Sequence, residues 1–168
     1  RKSGSLGDIA FEQIVLEVEP DILVPMLLLL PDQDQREYPI VIGLSQDGKE
    51  KFLEERAEEI AALLTQGVAV FLPDVRGMGE TCPDSSRQPR SEATALSATE
   101  LILGRTLLGS RFLGLRIVMA YLRVHEEVTW FTLWGDSFAP TNSVGFCDPL
   151  IGEDDSPVQS EPLGGLLA

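Results

Sequence analysis

Val128-Thr129-Trp130-Phe131-Thr132-Leu133-Trp134-Gly135-Asp136-Ser137-Phe138-Ala139 is the stretch whose reading decides the fold. Val128 to Leu133 is a short run of β-branched, aromatic and leucine residues, the pattern of a strand buried on both faces. Gly135 and Ala139 then stand two residues before and two after Ser137. Small residues at those places let the backbone pass close to itself in a sharp, strained turn with the serine at its apex. A serine in such a place can also be a simple turn residue that bonds its own backbone. What decides between these readings is the pattern upstream.

Working back from that strand, the sequence alternates between strand and helix signals. Val68 to Leu72 and Ile40 to Leu44 are two more continuous apolar runs. Between them, Leu53, Ala57, Ile60, Ala61 and Leu64 fall at helical spacing, with Glu54, Glu55, Glu58 and Glu59 on the other side. Asp47 and Glu50 have the spacing of a capping box, and Gly67 is placed to end the helix. Ser97 and Glu100 repeat the capping pattern before a second helical stretch. It runs to about Val124, with a break expected near Gly109 or Gly114. Further upstream, Phe11 to Glu19 alternates polar and apolar, Pro20-Asp21 marks a turn, and Ile22 to Leu30 is apolar. Pro25 within that run suggests an edge strand or a bulge. The pair reads as an antiparallel hairpin. Hairpin, strand, helix, strand, helix, strand predicts an α/β fold: a mostly parallel sheet with helices on both faces. Ser137 then sits at the carboxyl end of the third parallel strand, where open α/β sheets bind their ligands.

Composition narrows the function. The 168 residues are 43% hydrophobic and 24% charged, as in ordinary globular domains. Thirteen basic against 27 acidic side chains leave a net charge of −14, which disfavours nucleic acid and anionic lipid as partners. No apolar run approaches the ~20 residues of a membrane span. Cys82 and Cys147 are too few for a disulfide framework, and whether they pair is not readable. With one histidine, His125, no Cys/His metal cluster can be built, and neither metal nor cofactor is expected.

Three motifs in order carry a resemblance to a known family. They are Gly43-Leu-Ser45-Gln46-Asp-Gly48 after a strand, Asp74-Val-Arg76-Gly77-Met-Gly79 after the next, and the Gly135-Asp-Ser137-Phe138-Ala139 turn. Over about residues 11 to 140 the chain resembles the first part of an α/β-hydrolase domain. It is most similar to the acetyl xylan esterase and prolyl-oligopeptidase-like branch of bacterial serine hydrolases. The resemblance implies that Ser137 is a nucleophile on an elbow supported by Gly135 and Ala139. It implies that the backbone N–H of Phe138 and the loop at Ser45 and Gln46 receive the oxyanion. Asp74, Arg76 and Gly77 then form a structural loop, in which an Asp–Arg pair would hold a tight glycine turn.

The implied activity is ester hydrolysis through an acyl-enzyme, on a small-molecule or carbohydrate ester. A non-catalytic module binding at the same crevice, or a prolyl-oligopeptidase-type peptidase, are the alternatives. The sequence departs from the family where Ser137 should find its partners, since no histidine follows it. His125 precedes the elbow strand and so lies roughly 20 Å from the serine, as a helix-end residue. Asp148, Glu153, Asp154 and Asp155 read as a solvated loop. The triad acid and histidine are therefore expected beyond Ala168, in the remainder of a parent hydrolase domain. The helix start at Ser160-Glu161-Pro162-Leu163 and the absence of an initial Met support that expectation. Residues 1–10 are expected as linker or disorder, 140–160 as a loop insertion, and 161–168 as the start of a helix. No signal peptide is visible and the compartment is not readable.

Overall fold

The structure, a computed structural model, describes residues 1–7, 9–31, 37–82, 89–124, 128–136 and 138. Its strands are β1 (Lys2–Leu6), β2 (Ile9–Glu19), β3 (Ile22–Leu30), β4 (Tyr38–Ser45), β5 (Ala69–Pro73) and β6 (Val128–Asp136). Its helices are α1 (Lys49–Glu55), α2 (Ala57–Thr65), α3 (Pro89–Ile102) and α4 (Leu107–Val124). The strands form one sheet in the order β1-β2-β3-β5-β4-β6. β1, β2 and β3 are antiparallel, β3 is antiparallel to β5, and β4 runs parallel to both β5 and β6.

The continuous apolar runs of β4 and β5 lie where both faces of the sheet are covered, whereas β6, expected to be buried on both faces, is an edge strand of the described sheet with none of its residues fully buried and Trp130 56% exposed. Every residue of β5 is buried, as are Ile40, Ile42 and Leu44 of β4. On one face Leu115, Val118 and Leu122 of α4 pack with Ile40, Ile42, Phe71 and the inward residues of β2 and β3. On the other, Phe52, Ile60 and Leu64 pack with Val70 and Leu72, and Trp134 and Phe138 join them. β2 alternates because Ile14, Leu16 and Val18 face the first core while Gln13, Val15 and Glu17 face outward.

Several local expectations are corrected. Residues 1–10 are not a linker: β1 pairs with β2 through a turn at Gly7 (φ 60), and Gly4 lies against the Phe11 ring. Because this edge strand is held by backbone bonds and is exposed, no hydrophobic pattern announces it. Pro25 marks neither an edge nor a bulge. β3 is an interior strand, and its register irregularity against β2 falls at Glu17/Glu19. Pro25 is tolerated because it stands where the β3–β5 ladder ends, accepting the Asp74 N–H (3.0 Å) where no donor is needed in return. The helical stripe is two helices broken at Arg56 (φ −122), so Phe52 takes the deepest position and Ala57 and Ala61 stay exposed. The second helical stretch breaks at Gly104 (φ 73), while Gly109 and Gly114 lie inside α4. Gly67 (φ 78) ends α2 as expected. His125, Ser137 and residues 139–168, with Ala139, Cys147 and the acids from Asp148 to Asp155, lie outside the described residues. Among the described residues, no helix is long and apolar enough to cross a membrane.

Candidate active site

Two strand ends bring Ser45 and Asp136 side by side. In the β4–β6 ladder Leu44 pairs with Gly135 and Ser45 with Asp136, so both strands finish level. The loop from Ser45 to Gly48 therefore starts beside Asp136. Ser45 is buried. Its carbonyl accepts the Gly48 N–H (3.2 Å) and its Oγ accepts the Asp47 N–H (3.2 Å), which folds the loop tightly. Gln46 follows with its side-chain Oε1 buried and accepting no hydrogen bond.

Phe138, on the far side of Ser137, has a left-handed backbone (φ 55), which is uncommon for a bulky residue and marks a tight turn. Its N–H donates to Asp136 Oδ1 at 2.9 Å, the geometry of an Asx turn. The other oxygen, Asp136 Oδ2, accepts Arg56 Nε at 2.8 Å and pairs with the same guanidinium at 2.7 Å. Arg56 also lies 5.3 Å from the Phe138 ring centroid. The hydrogen bond to Asp136 holds this guanidinium above its ordinary pKa. Phe52 supports the turn from beneath, with ring centroids 4.8 Å from Trp134 and 6.0 Å from Phe138. The N–H expected to receive an oxyanion is thus engaged by a carboxylate that Arg56 steadies.

On the other side of β4, Asp74 directly follows β5 and is 1% exposed. Asp74 Oδ1 accepts the backbone N–H of Lys49 (2.8 Å), and Oδ2 accepts Lys49 Nζ (2.7 Å) and the Glu80 N–H (3.0 Å). Lys49 also pairs with Glu80. Burial works to lower the Lys49 pKa, but the hydrogen bonds and charges of Asp74 and Glu80 outweigh it and hold the ammonium above its usual value. The start of α1 is therefore tied down by Asp74 from another loop. The expected Asp47–Glu50 capping box is not formed: Gly48 is the N-cap (φ 89), and no side chain caps the helix from that position. Glycine is required there because a Cβ on Gly48 would stand 2.2 Å from Gly79 Cα.

The expected Asp74–Arg76 pair is likewise replaced. Arg76 turns the other way, to Glu19 (2.8 Å) and to Glu100. Glu100 is buried and accepts the Ser110 hydroxyl (2.5 Å). Hydrogen bonding from Ser110, then the charge and hydrogen bond of Arg76, overcome burial and lower its pKa. Ser97 and Glu100 are therefore interior to α3, and Glu100 serves the loop instead of a helix end. Arg111 closes this side, donating to the carbonyls of Arg76 (2.9 Å) and Gly77 (3.1 Å). Gly77 (φ 68) makes the turn itself.

The residues missed by sequence reasoning are Lys49, Phe52, Arg56, Asp136 and Glu100. Their partners are up to 80 positions away, and no local spacing signals such pairs. Cys82 is exposed with a free thiol. Among the described residues, no three His, Cys, Asp or Glu side chains cluster as a metal site.

No protein-family model and no curated protein sequence matches the chain. Solved structures do. A candidate acetyl xylan esterase from Bacteroides fragilis superposes with a TM-score of 0.70 at 16% identity, over 82% of this chain and 41% of that one. Est1E from Butyrivibrio proteoclasticus, solved with ferulic acid bound, gives 0.53 at 16% identity, over 74% of this chain and 42% of that one. A cold-adapted esterase from an Arctic intertidal metagenomic library gives 0.51 at 14% identity, over 77% of this chain and 52% of that one. The chain thus spans about half or less of the length of these structures. With its three parallel strands β5-β4-β6, its antiparallel strands before them and helices on both faces, the chain has the α/β-hydrolase fold over this span.

Proposed function

We propose that the chain is the nucleophile-bearing part of a serine hydrolase acting on carboxylic esters, with acetyl esters of carbohydrate as the favoured class. The observation that supports this best is the level ending of β4 and β6. It sets the Ser45–Gln46 loop beside Gly135 and Asp136, at the sheet edge where this fold binds ligands. In this reading the Ser137 hydroxyl attacks the ester carbonyl, and a base takes its proton and passes it to the departing alcohol. Water then hydrolyses the acyl-enzyme. The oxyanion would take hydrogen bonds from the Phe138 N–H and the Ser45–Gln46 loop, each such donor lowering the barrier by about 3 kcal/mol. Phe138 can do so only by leaving Asp136 Oδ1, while Asp136 keeps Arg56. Gly135 and Ala139 allow the turn, and the Asp74–Arg76–Gly77 loop holds the neighbouring strand end.

The base and its orienting acid are proposed to come from outside residues 1–168. His125 stands three positions before Val128, which is at the opposite end of β6 from Asp136. The strand between them spans roughly 25 Å at about 3.3 Å per residue.

Hydrolysis of p-nitrophenyl acetate by the protein expressed from its full natural reading frame tests the reading. Activity that Ser137→Ala reduces at least about a thousandfold supports it. Equal activity in the variant, or none in the parent, defeats it. One observation favours a second reading, a non-catalytic ligand-binding module: the Phe138 N–H is already satisfied by Asp136. That alternative expects Ser137→Ala to leave ester binding unchanged.

A further inference from the structure

Arg56 and Asp136 form a pair that uses only part of what the two groups offer. A guanidinium and a carboxylate bond most strongly when two parallel N–H groups each meet their own oxygen. Here Nε (2.8 Å) and Nη2 (2.7 Å) of Arg56 both converge on Asp136 Oδ2. The second oxygen is withheld from the guanidinium because Oδ1 accepts the Phe138 N–H at 2.9 Å. Three donors therefore share two oxygens, and two of them crowd onto one.

Of these groups the carboxylate is the one free to turn. Phe138 is held by its left-handed backbone (φ 55) and by its ring, whose centroid lies 6.0 Å from that of Phe52. Arg56 stands at the break between α1 and α2 (φ −122). Its guanidinium lies 5.3 Å from the Phe138 ring centroid, and Nη1 reaches Glu59 at 3.5 Å. That leaves the Nε–Nη2 edge for Asp136. The side chains of Arg56 and Asp136 are 33% and 18% exposed, so a turn of the carboxylate strands no polar atom away from water.

We propose that the Asp136 carboxylate is a two-position brake on the Phe138 N–H, and that Arg56 is the positioning residue that takes Oδ1 when the brake is released. This deepens the serine-hydrolase reading above and rests on it. In the closed position Oδ1 holds the N–H, and an ester carbonyl finds one of its oxyanion donors occupied. In the open position the carboxylate turns about its last side-chain bond. Oδ1 and Oδ2 then face Nε and Nη2 one to one, and the Phe138 N–H is bare. The turn exchanges one charge-assisted hydrogen bond for another, so the two positions lie close in free energy. A developing oxyanion favours the open one, because a carboxylate left on the same N–H would meet it as a like charge.

Hydrolysis of p-nitrophenyl acetate by the protein expressed from its full natural reading frame, followed together with amide exchange at Phe138, tests the brake. Asp136→Ala should raise kcat/KM about tenfold, the worth of one hydrogen bond to a charged group, and should speed the exchange. Asp136→Asn, whose neutral oxygen holds the N–H less firmly, should fall between the parent and Asp136→Ala in both readouts. Arg56→Lys keeps the charge and loses the parallel pair of donors. It should lower kcat/KM about fivefold where Asp136 is present and change nothing in the Asp136→Ala background, where no carboxylate is left to take. A merely structural Arg56 would lower the rate equally in both backgrounds, and that result overturns the proposal. Activity that survives Ser137→Ala, or is absent from the parent, defeats the hydrolase reading and the brake with it. Activity that needs Ser137 but does not rise in Asp136→Ala overturns the brake alone. Should Asp136→Ala not fold, an unraised rate with unchanged exchange in Asp136→Asn is the overturning result.

Discussion

Two of the three parallel strands end in an aspartate that receives a backbone N–H, and the two junctions differ in what surrounds the carboxylate. Asp74, after β5, is sealed and takes its donors from other elements, Lys49 and Glu80. Asp136, after β6, takes the N–H two residues along its own chain and the guanidinium of Arg56, whose side chain is 33% exposed. A buried carboxylate with three donors is a lock, because releasing any donor strands a polar group away from water. A partly exposed one is a latch, because water replaces what it gives up. The lock holds the loops around the strand ends, while the latch sits on the N–H that ester chemistry would need.

The largest expected effect breaks the lock. Asp74→Ala leaves the backbone N–H groups of Lys49 and Glu80 without a partner and the Lys49 ammonium with Glu80 alone, and should cost about 3–5 kcal/mol in chemical denaturation. A loss below about 1 kcal/mol would mean that Asp74 is no lock. Arg76→Met should follow, at about 3 kcal/mol, because Glu100 would keep its buried charge with only Ser110 for company.

Acid titration sharpens the same point. The Glu100 pKa is lowered in the folded state, so its contribution is fully present above the unfolded value of about 4.3 and is lost as pH falls through the folded value. The thermal midpoint should fall below about pH 4, and Glu100→Gln should flatten that part of the profile. An unchanged slope in the variant would assign the acid sensitivity to other carboxylates.

The smallest effect on stability belongs to the latch. Asp136→Ala should cost about 1 kcal/mol or less, yet it should speed hydrogen exchange at the Phe138 amide. Arg56→Gln should give a weaker version of both changes. An exchange rate untouched by Asp136→Ala would show that the two junctions do not differ in this way.

How much of this was legible varies with the range of the interaction. The alternation of β2 and the continuous runs of β4 and β5 could be read because burial on one or two faces imposes its own period on neighbouring residues; the similar run of β6 marks a strand but not burial on both faces, since β6 lies at the sheet edge. Gly67 was legible as a helix end because a left-handed residue is a local demand. The helix stripe was read as one helix since the spacing is continuous across Arg56. The break is visible only when Asp136, 80 residues later, draws that arginine to the end of β6. The capping boxes at Asp47 and Ser97 failed for a related reason: a stronger, buried acceptor came from another loop, or the glutamate was needed by Arg76. Of the candidate site, the positions of Ser45, Gln46 and Phe138 followed from motif and strand order, while the engagement of the Phe138 N–H did not.

The sequence by itself determined the order of strands from β2 to β6, the burial of β4 and β5 on both faces, and the glycine that ends α2. These follow from hydrophobic period and backbone sterics, both properties of adjacent residues. Only the tertiary structure decided which carboxylate meets which cation. Asp74 takes Lys49 instead of Arg76, Asp136 takes Arg56, and Glu100 takes Arg76 and Ser110. Such choices are made by burial and approach in three dimensions, and a pair's strength depends on the dielectric it folds into, which no spacing along the chain records.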